Sequence, residues 1–382
     1  MAMRVGVVAS YPPTVDGIAT YTKNLADAFE ASSDSEVVVV RAIRAKDGER
    51  RDRVRAELVA GDRESQRSAL RLLNSCDVAL IEHEFGSYGG KDGDEVLVIA
   101  RNVRVPLVVT LHTVLAVPSP QQSAVIRVLA HCADRVVVMT QSAYRLAVEV
   151  YGLPPDKLAL IPHGSNFTPQ APRRIVPNRL LTWGLLGPGK GVEWMIRALP
   201  SLRDLTPRVE YYVAGDLHPD VRRASGTAYR TSLEREAERL GVRDQLALDP
   251  GYHSDRNLLR LIGTAAVVVL PYESGDLVSS GVLVDALAAG RAVVASRFPH
   301  AIEALATGAG IAVPHRDPAA LADAIRRLLS RPAELSAATL AAARAGQRLS
   351  WREVARGHRD LMRQVITRRR RNPSLPFRRP GT

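Results

Sequence analysis

Short unbroken apolar runs alternate along this chain with longer stretches in which apolar residues recur every three or four positions. The first half carries such runs at 5–9, 37–40, 78–81, 107–111, 136–139 and 158–161. Apolarity that is continuous rather than alternating predicts strands covered on both faces, as in a parallel sheet with crossover helices. The stretches between the runs, such as TYTKNLADAF at 20–29 and SAYRLAVEVYG at 142–152, have helical spacing. The first half therefore reads as a doubly wound α/β domain.

At 168–179, TPQAPRRIVPNR holds three prolines and no period, the mark of a linker. The alternation then restarts, predicting strands at 180–183, 209–214, 266–270, 292–295 and 311–313 and helices at 192–202, 229–240, 282–289 and 318–329. The expected organisation is a Rossmann-like domain over 1–170, a linker over 171–178, a second Rossmann-like domain over 179–348, a helix over 349–367 and a flexible basic tail over 368–382. The two domains are expected to face each other across a cleft. No 20–50-residue repeat is visible, which sets solenoids aside.

With 382 residues, 46% hydrophobic and 24% charged, the chain has globular proportions and length for two cores. No apolar run approaches the ~18 residues of a membrane span. Two cysteines, Cys76 and Cys132, cannot form a disulfide framework. The chain opens into a strand-like run without the apolar segment of a signal peptide, so a cytoplasmic location is expected. The formal charge of +12 is uneven: Arg363, Arg368, Arg369, Arg370, Arg371, Arg378 and Arg379 supply seven charges with no acid between 361 and 382, leaving about +5 for the body. Such a block stays solvated, and Arg368 to Arg379 offer peripheral contact with the anionic inner face of a membrane. No RNP-type aromatic motif, zinc knuckle or helix-turn-helix accompanies the charge, so nucleic acid is not an expected partner.

Open α/β sheets bind ligands beyond the carboxyl ends of their strands, where helix N-termini present unpaired N–H groups. Three segments lie there. Asp16-Gly17-Ile18-Ala19 follows the first strand; its glycine permits close approach of a phosphate or sugar and equally suits a tight turn. Gly184-Leu185-Leu186-Gly187-Pro188-Gly189-Lys190-Gly191 matches neither GxGxxG nor the P-loop, yet three closely spaced glycines with a lysine at a helix start make a plausible pyrophosphate clamp. In PYESGDLVSSGVLVDALAAGRAVVAS at 271–296, Ser279-Ser280-Gly281 opens a helix and Asp285 lies one turn on, placed to accept from a ribose diol while the helix start takes a phosphate.

Taken together, DGIATYTKNLADAF, IEHEFGSYGGKDGDEVL at 81–97, VVTLHTV at 108–114, IPHG at 161–164, GPGKG at 187–191 and SSGVLVDALAAG at 279–290 resemble the retaining GT-B glycosyltransferases of family GT4, in the wording of its mannosyltransferase-like branch. The resemblance implies that Gly17 lies near the transferred sugar and donor phosphates, and that His112 faces the donor sugar near the reaction centre. It implies that Lys190, beside Gly189, binds the diphosphate, that Ser279, Ser280 and Gly281 present amides or hydroxyls to it, and that Asp285 binds the ribose. It also implies a final helix that crosses back to the first domain, which would take the acceptor while the second holds the donor. Two positions depart from the pattern: Leu277 stands where a first Glu is usual, and Leu185 where an Arg is usual. Glu273 or Asp276, and another arginine, would then supply what is missing.

His83 and Glu84 follow a strand and suit either acceptor positioning or general polar support; His163 suits a domain-edge contact, His300 a helix cap or function, and His131 and His358 ordinary helix faces. Asp92-Gly93-Asp94 looks like a metal-holding DxD but lies in a Gly-rich run before a helix, so no metal site is expected. The expected activity is metal-independent, retaining transfer of a hexose, mannose above all, from a nucleoside diphosphate sugar such as GDP-mannose to a hydroxyl of a saccharide, lipid-linked or small-molecule acceptor, without any other cofactor. The alternatives are a non-catalytic nucleotide-sugar-binding or scaffold protein and a nucleotide-sugar epimerase on the same fold.

Overall fold

The computed structural model describes residues 2–45, 53–167, 175–251 and 253–371. The chain divides into two compact units, one of Met1–Gly164 with Trp351–Thr382 and one of Ser165–Ser350.

The first unit is built on β1 (Met3–Ala9), β2 (Ser35–Ile43), β3 (Val54–Val59), β4 (Val78–His83), β5 (Leu107–Leu111), β6 (Arg135–Val138) and β7 (Leu158–Leu160). They form one sheet in the order β3-β2-β1-β4-β5-β6-β7, every pair parallel. The chain winds outward from β1 to β3 and then resumes on the other side with β4, so the topological switch point lies between β1 and β4. Val5, Val7, Val37, Val39, Val78 and Leu80 fill one core together with Tyr21, Leu25 and Phe29 of the helix Gly17–Glu30. Trp351, Val354, Leu361, Met362 and Val365 of the C-terminal helix Trp351–Arg371 enter the same core. His358 of that helix is fully buried, not an ordinary face residue. Residues 368–371, expected in a flexible tail, continue the helix, because Arg369 donates to both oxygens of Asp134, at 3.0 and 3.1 Å. The rest of the expected tail, 372–382, lies outside the described residues.

The second unit repeats the plan with β8 (Arg179–Trp183), β9 (Glu210–Ala214), β10 (Leu246–Asp249), β11 (Val267–Leu270), β12 (Ala292–Ser296) and β13 (Gly310–Val313), in the order β10-β9-β8-β11-β12-β13, again all parallel. Its switch point lies between β8 and β11. This unit begins at Ser165 rather than beyond 170, because Phe167 packs into its core and the Ser165 amide donates to the Leu349 carbonyl at 2.6 Å. Of the expected linker, 171–174 lie outside the described residues, and the Val176 amide is bonded to the Thr264 carbonyl at 2.9 Å. Among the described residues no helix is long and apolar enough to cross a membrane.

Candidate active site

At the switch point of the second unit, the loop after β8 meets the loop after β11. Gly184, Gly189 and Gly191 hold φ of 119°, 89° and 70°. At Gly191 the requirement is twofold: φ is left-handed, and a β-carbon would sit 1.8 Å from the Pro271 carbonyl oxygen. The chain therefore turns tightly into the helix Val192–Ala198 while packed against the end of β11. The Glu273 amide donates to the Gly189 carbonyl at 2.9 Å, tying the two loops together. Lys190 Nζ stands 4.5 Å from the centre of the Tyr272 ring, a cation–π contact that leaves the ammonium over the same strip.

Glu273, expected to offer a hydroxyl contact to the sugar, has both carboxylate oxygens bonded within the unit. Trp194 Nε1 donates to Oε1 at 2.6 Å and Arg316 donates to Oε2 at 2.8 Å, and these bonds, opposed by partial burial, hold the carboxyl below its ordinary range. Glu273 is thus the anchor of Arg316. Arg316 itself has φ of 55°, uncommon for a residue with a β-carbon, and brings a second, largely exposed cation to the strip that carries Lys190. It lies 43 residues from Glu273 in sequence, and no local signal announces the pair.

The helix Gly281–Ala288 starts beside the glycine loop: a β-carbon on Gly184 would lie 3.9 Å from Val282 Cγ2. The Ser280 hydroxyl accepts from the Leu283 amide at 3.3 Å as N-cap, and the Ser280 amide donates to His300 Nδ1 at 2.9 Å. Ser280, expected to present its amide or hydroxyl to phosphate, is engaged on both counts; the amides without a protein partner among the described residues are those of Gly281 and Val282. Burial pushes the His300 imidazole down to about 4, so at neutral pH it is an uncharged acceptor. Ser279 is half-buried, just ahead of the cap. Leu277 packs against the apolar core of the unit, so nothing there stands in for the usual acid. Asp285 is half-buried one turn into the helix; its Oδ1 accepts from the Ser165 hydroxyl at 2.7 Å. Burial pushes its carboxyl up to about 7, against the Ser165 bond and with Asp255 nearby adding to the rise.

In the first unit, Asp16 caps the helix Gly17–Glu30, Oδ1 accepting from the Ala19 amide and Oδ2 from the Ser10 hydroxyl, both at 2.6 Å. A β-carbon on Gly17 would meet nothing within 4 Å, and its φ is ordinary. The fold does not need glycine there; the space above it is open. His112 follows β5, and its Nε2 lies 2.8 Å from Glu82 Oε2 on β4. Tyr21 meets His112 edge-on, ring centres 4.6 Å apart, and also packs against His163 and Trp351. His83 is corrected: it is the last residue of β4, fully buried between Phe85 and Tyr88, so it offers nothing to an acceptor. Burial, with His112 nearby, pushes it down to about 3. Glu84 does lie beyond β4, where it accepts from the Phe85 amide at 3.0 Å and from the Thr113 hydroxyl, joining the loops after β4 and β5. Gln121 and Gln122 donate to Asp94 and Asp92, and among the described residues no group of three or more His, Cys, Asp or Glu could hold a metal ion.

Two family models divide the chain: one described as Glycosyltransferase Family 4 matches residues 15–167, and one described as Glycosyl transferases group 1 matches residues 177–331. The chain is 31% identical over 306 residues to the D-inositol 3-phosphate glycosyltransferase of Xylanimonas cellulosilytica, a match covering 69% of this chain and 68% of that protein. It is 28% identical over 304 residues to the protein of the same name from Streptomyces bingchenggensis, covering 72% of this chain and 65%, just under two thirds, of the relative. In fold, it is similar to Anabaena Alr3699/HepE, solved with UDP and glucose, with a TM-score of 0.73 and 17% identity over 95% of this chain and all of that one.

Proposed function

The chain belongs to glycosyltransferase family 4 and has the GT-B fold of two Rossmann-like domains, and from that premise we propose that it is a retaining hexosyltransferase acting on a nucleoside diphosphate sugar. The observation that carries this reading is the meeting of the glycine loop at 184–191 with the start of the helix Gly281–Ala288: two amides there have no protein partner among the described residues, and Lys190 of that loop and Arg316, anchored on Glu273, lie against the neighbouring residues Tyr272 and Glu273. Arg316 takes the part of the arginine missing at Leu185. Asp285 and Ser279 are assigned to the nucleoside. The second unit holds the donor; Gly17 and His112 attend the sugar, and Glu84 with Thr113 borders the acceptor.

Chemically, the bond between the anomeric carbon and the diphosphate oxygen breaks as the acceptor hydroxyl attacks from the same face, its proton passing to a phosphate oxygen. The anomeric configuration is kept, and no carboxylate nucleophile is required. Lys190, Arg316 and the two amides are fixed donors aimed at the charge that develops on the leaving diphosphate. They supply the charge that a metal would otherwise bring. Mannose is the hexose favoured by the motifs, so GDP-mannose is the first donor to offer; UDP-glucose is the second, after the ligands of the Anabaena neighbour. The basic end of the final helix, with Arg368 and Arg371, meets anionic headgroups when the acceptor is lipid-linked.

The test is a thermal-shift panel of nucleotide sugars with and without EDTA, followed by product analysis. A ligand that binds only the folded state raises its melting temperature. We expect stabilisation by one donor, unaffected by EDTA, and transfer that keeps the anomeric configuration. A strict Mg²⁺ or Mn²⁺ requirement, or inversion, refutes the reading. Leu277 and Leu185 favour one second reading, a protein that binds the nucleotide sugar and does not turn it over; stabilisation without any product would establish it, and an epimerised nucleotide sugar would point to an epimerase.

A further inference from the structure

Glu82 is a carboxylate with no exposure at all, in the penultimate position of a central strand. A buried carboxylate is costly unless bonded, and the one side-chain hydrogen-bond partner it has among the described residues is His112, at 2.8 Å. Around the pair lie further buried polar atoms without a hydrogen-bond partner among the described residues: Glu82 Oε1, the Tyr21 hydroxyl, and both ring nitrogens of His83 and of His358. Tyr21 and His358 each interact electrostatically with Glu82, and His83 and His358 with His112, so the C-terminal helix contributes to one polar cluster within the first unit. Burial pushes His83 down to about 3 and His358 to about 4, so both rings are neutral at physiological pH and neither serves as counter-charge to Glu82.

A carboxylate without its proton can only accept, so a bond from His112 to it places a proton on Nε2. Nδ1 is not among the buried partnerless atoms and makes no hydrogen bond among the described residues, so its lone pair is the one a ligand can reach. Second-sphere carboxylates fix imidazole tautomer and ring orientation elsewhere. We propose that Glu82 is a positioning residue for His112, locking the Nε2–H tautomer and turning Nδ1 toward the sugar hydroxyl that His112 receives. The assignment rests on the proposed transfer reaction for its consequence, and on the buried pair alone for its geometry.

The experiment has a part that needs no substrate. In the full chain with 15N-labelled histidine, His112→Asn identifies the His112 signal among the nine histidines. The wild type should show the Nε2–H tautomer, and Glu82→Gln, which can donate or accept, should show a mixture. With the donor that the panel identifies, Glu82→Gln should lower kcat about 10- to 100-fold, by analogy with second-sphere substitutions elsewhere, with donor KM changed less than about threefold. In a His112→Ala background the same substitution should change kcat less than about twofold, since a residue acting through His112 is silent without it. Should Glu82→Gln not fold, Glu82→Asp keeps the charge but withdraws it by a methylene, and the same losses are expected. An unchanged tautomer, or an equal loss with and without His112, overturns the proposal. If the tautomer shifts but no nucleotide sugar is turned over by the wild type, the reaction reading fails and the Glu82–His112 assignment stands.

Discussion

The two units share one winding scheme and differ at the one place where that scheme offers a site. At the switch point of the second unit the loops are built from backbone: left-handed glycines, a helix start with two partnerless amides, and a neutral serine cap. At that of the first, side chains have taken over. The helix start is capped by the Asp16 carboxylate, which leaves the Gly17 and Ile18 amides without a protein partner among the described residues, as Ser280 leaves those of Gly281 and Val282, but brings a negative charge beside them; a buried carboxylate–imidazole pair lies in the same unit. A doubly wound sheet thus fixes where a ligand binds, while the capping residue and the glycines decide whether the place suits an anion.

The sharpest contrast lies between two glycines. Gly191→Ala places a β-carbon 1.8 Å from the Pro271 oxygen at a φ of 70°; left-handed backbone alone costs about 1–2 kcal/mol, and the collision adds to it. A melting point lowered by about 10 °C is expected, given about 2–4 °C per kcal/mol for a unit of this size. Gly17→Ala, in open space inside a helix, should leave stability unchanged or raise it by about 0.5–1 kcal/mol, yet abolish transfer. If Gly17→Ala transferred sugar normally, the open space above it would have no part in binding.

Next come the cations. Lys190→Ala should cost about 1.5–3 kcal/mol of nucleoside diphosphate affinity, the worth of a charge-assisted bond to phosphate. Arg316→Gly offers a cleaner test, because glycine accepts the φ of 55° that arginine holds. Its melting point should not fall while diphosphate affinity drops and nucleoside affinity does not. Calorimetric titration with diphosphate and nucleoside checks both, and equal binding by Arg316→Gly would return Leu185 to being an unfilled gap.

Most of the frame was legible, and what was not has a common cause. The two strands that no apolar run announces, β3 and β10, each form one edge of their sheet, opposite β7 and β13, the edges that the sequence does announce. VRAELV and LALD carry polar residues because an edge has less to bury against. The reverse error befell His83. Two polar residues after an apolar run look like the start of a loop, but β4 is central and buries both Glu82 and His83. The expected loops at Gly17 and 184–191 were found in the right places by their position after strands. Arg316, Trp194, Ser165 and His300 became partners of the site only through folding, across separations that no local pattern encodes.

Acid should separate the units. His83 and His358 in the first, and His300 in the second, have folded pKa values of about 3, 4 and 4, below the ~6.5 of an unfolded chain. Below that pH the unfolded state takes protons the folded state refuses, so stability is lost as pH falls from about 6.5 toward 4. Asp285 works in the opposite sense: with a folded value of about 7 against ~3.9 unfolded, it favours the folded state as pH falls from 7 toward 4. The second unit therefore has an offset that the first lacks. Hydrogen exchange at pH 7.5 and pH 5 should show the first unit losing more protection, and Asp285→Asn should remove the second unit's advantage. Earlier loss in the second unit would contradict the sign of the Asp285 shift.

The smallest effect expected concerns the caps themselves. A carboxylate at a helix N-terminus gains about 0.3–1 kcal/mol from the macrodipole beyond its cap bond, and Asp16 has this gain while Ser280 does not. Asp16→Ser keeps a hydroxyl cap for the Ala19 amide and loses the charge; Ser280→Asp does the reverse for the Leu283 amide. The first should lower the melting point by about 1–4 °C and the second raise it by as much, both shifts shrinking at high salt because the attraction is screened. The same charge that stabilises the second helix start repels a phosphate brought to the Gly281 and Val282 amides. Ser280→Asp should therefore bind diphosphate more weakly although it melts higher, whereas Asp16→Ser should leave diphosphate affinity untouched if the donor phosphates belong to the second unit. A loss of diphosphate affinity in Asp16→Ser equal to that in Ser280→Asp would mean that the first helix start also carries phosphate, and the division of labour between the two switch points would have to be redrawn.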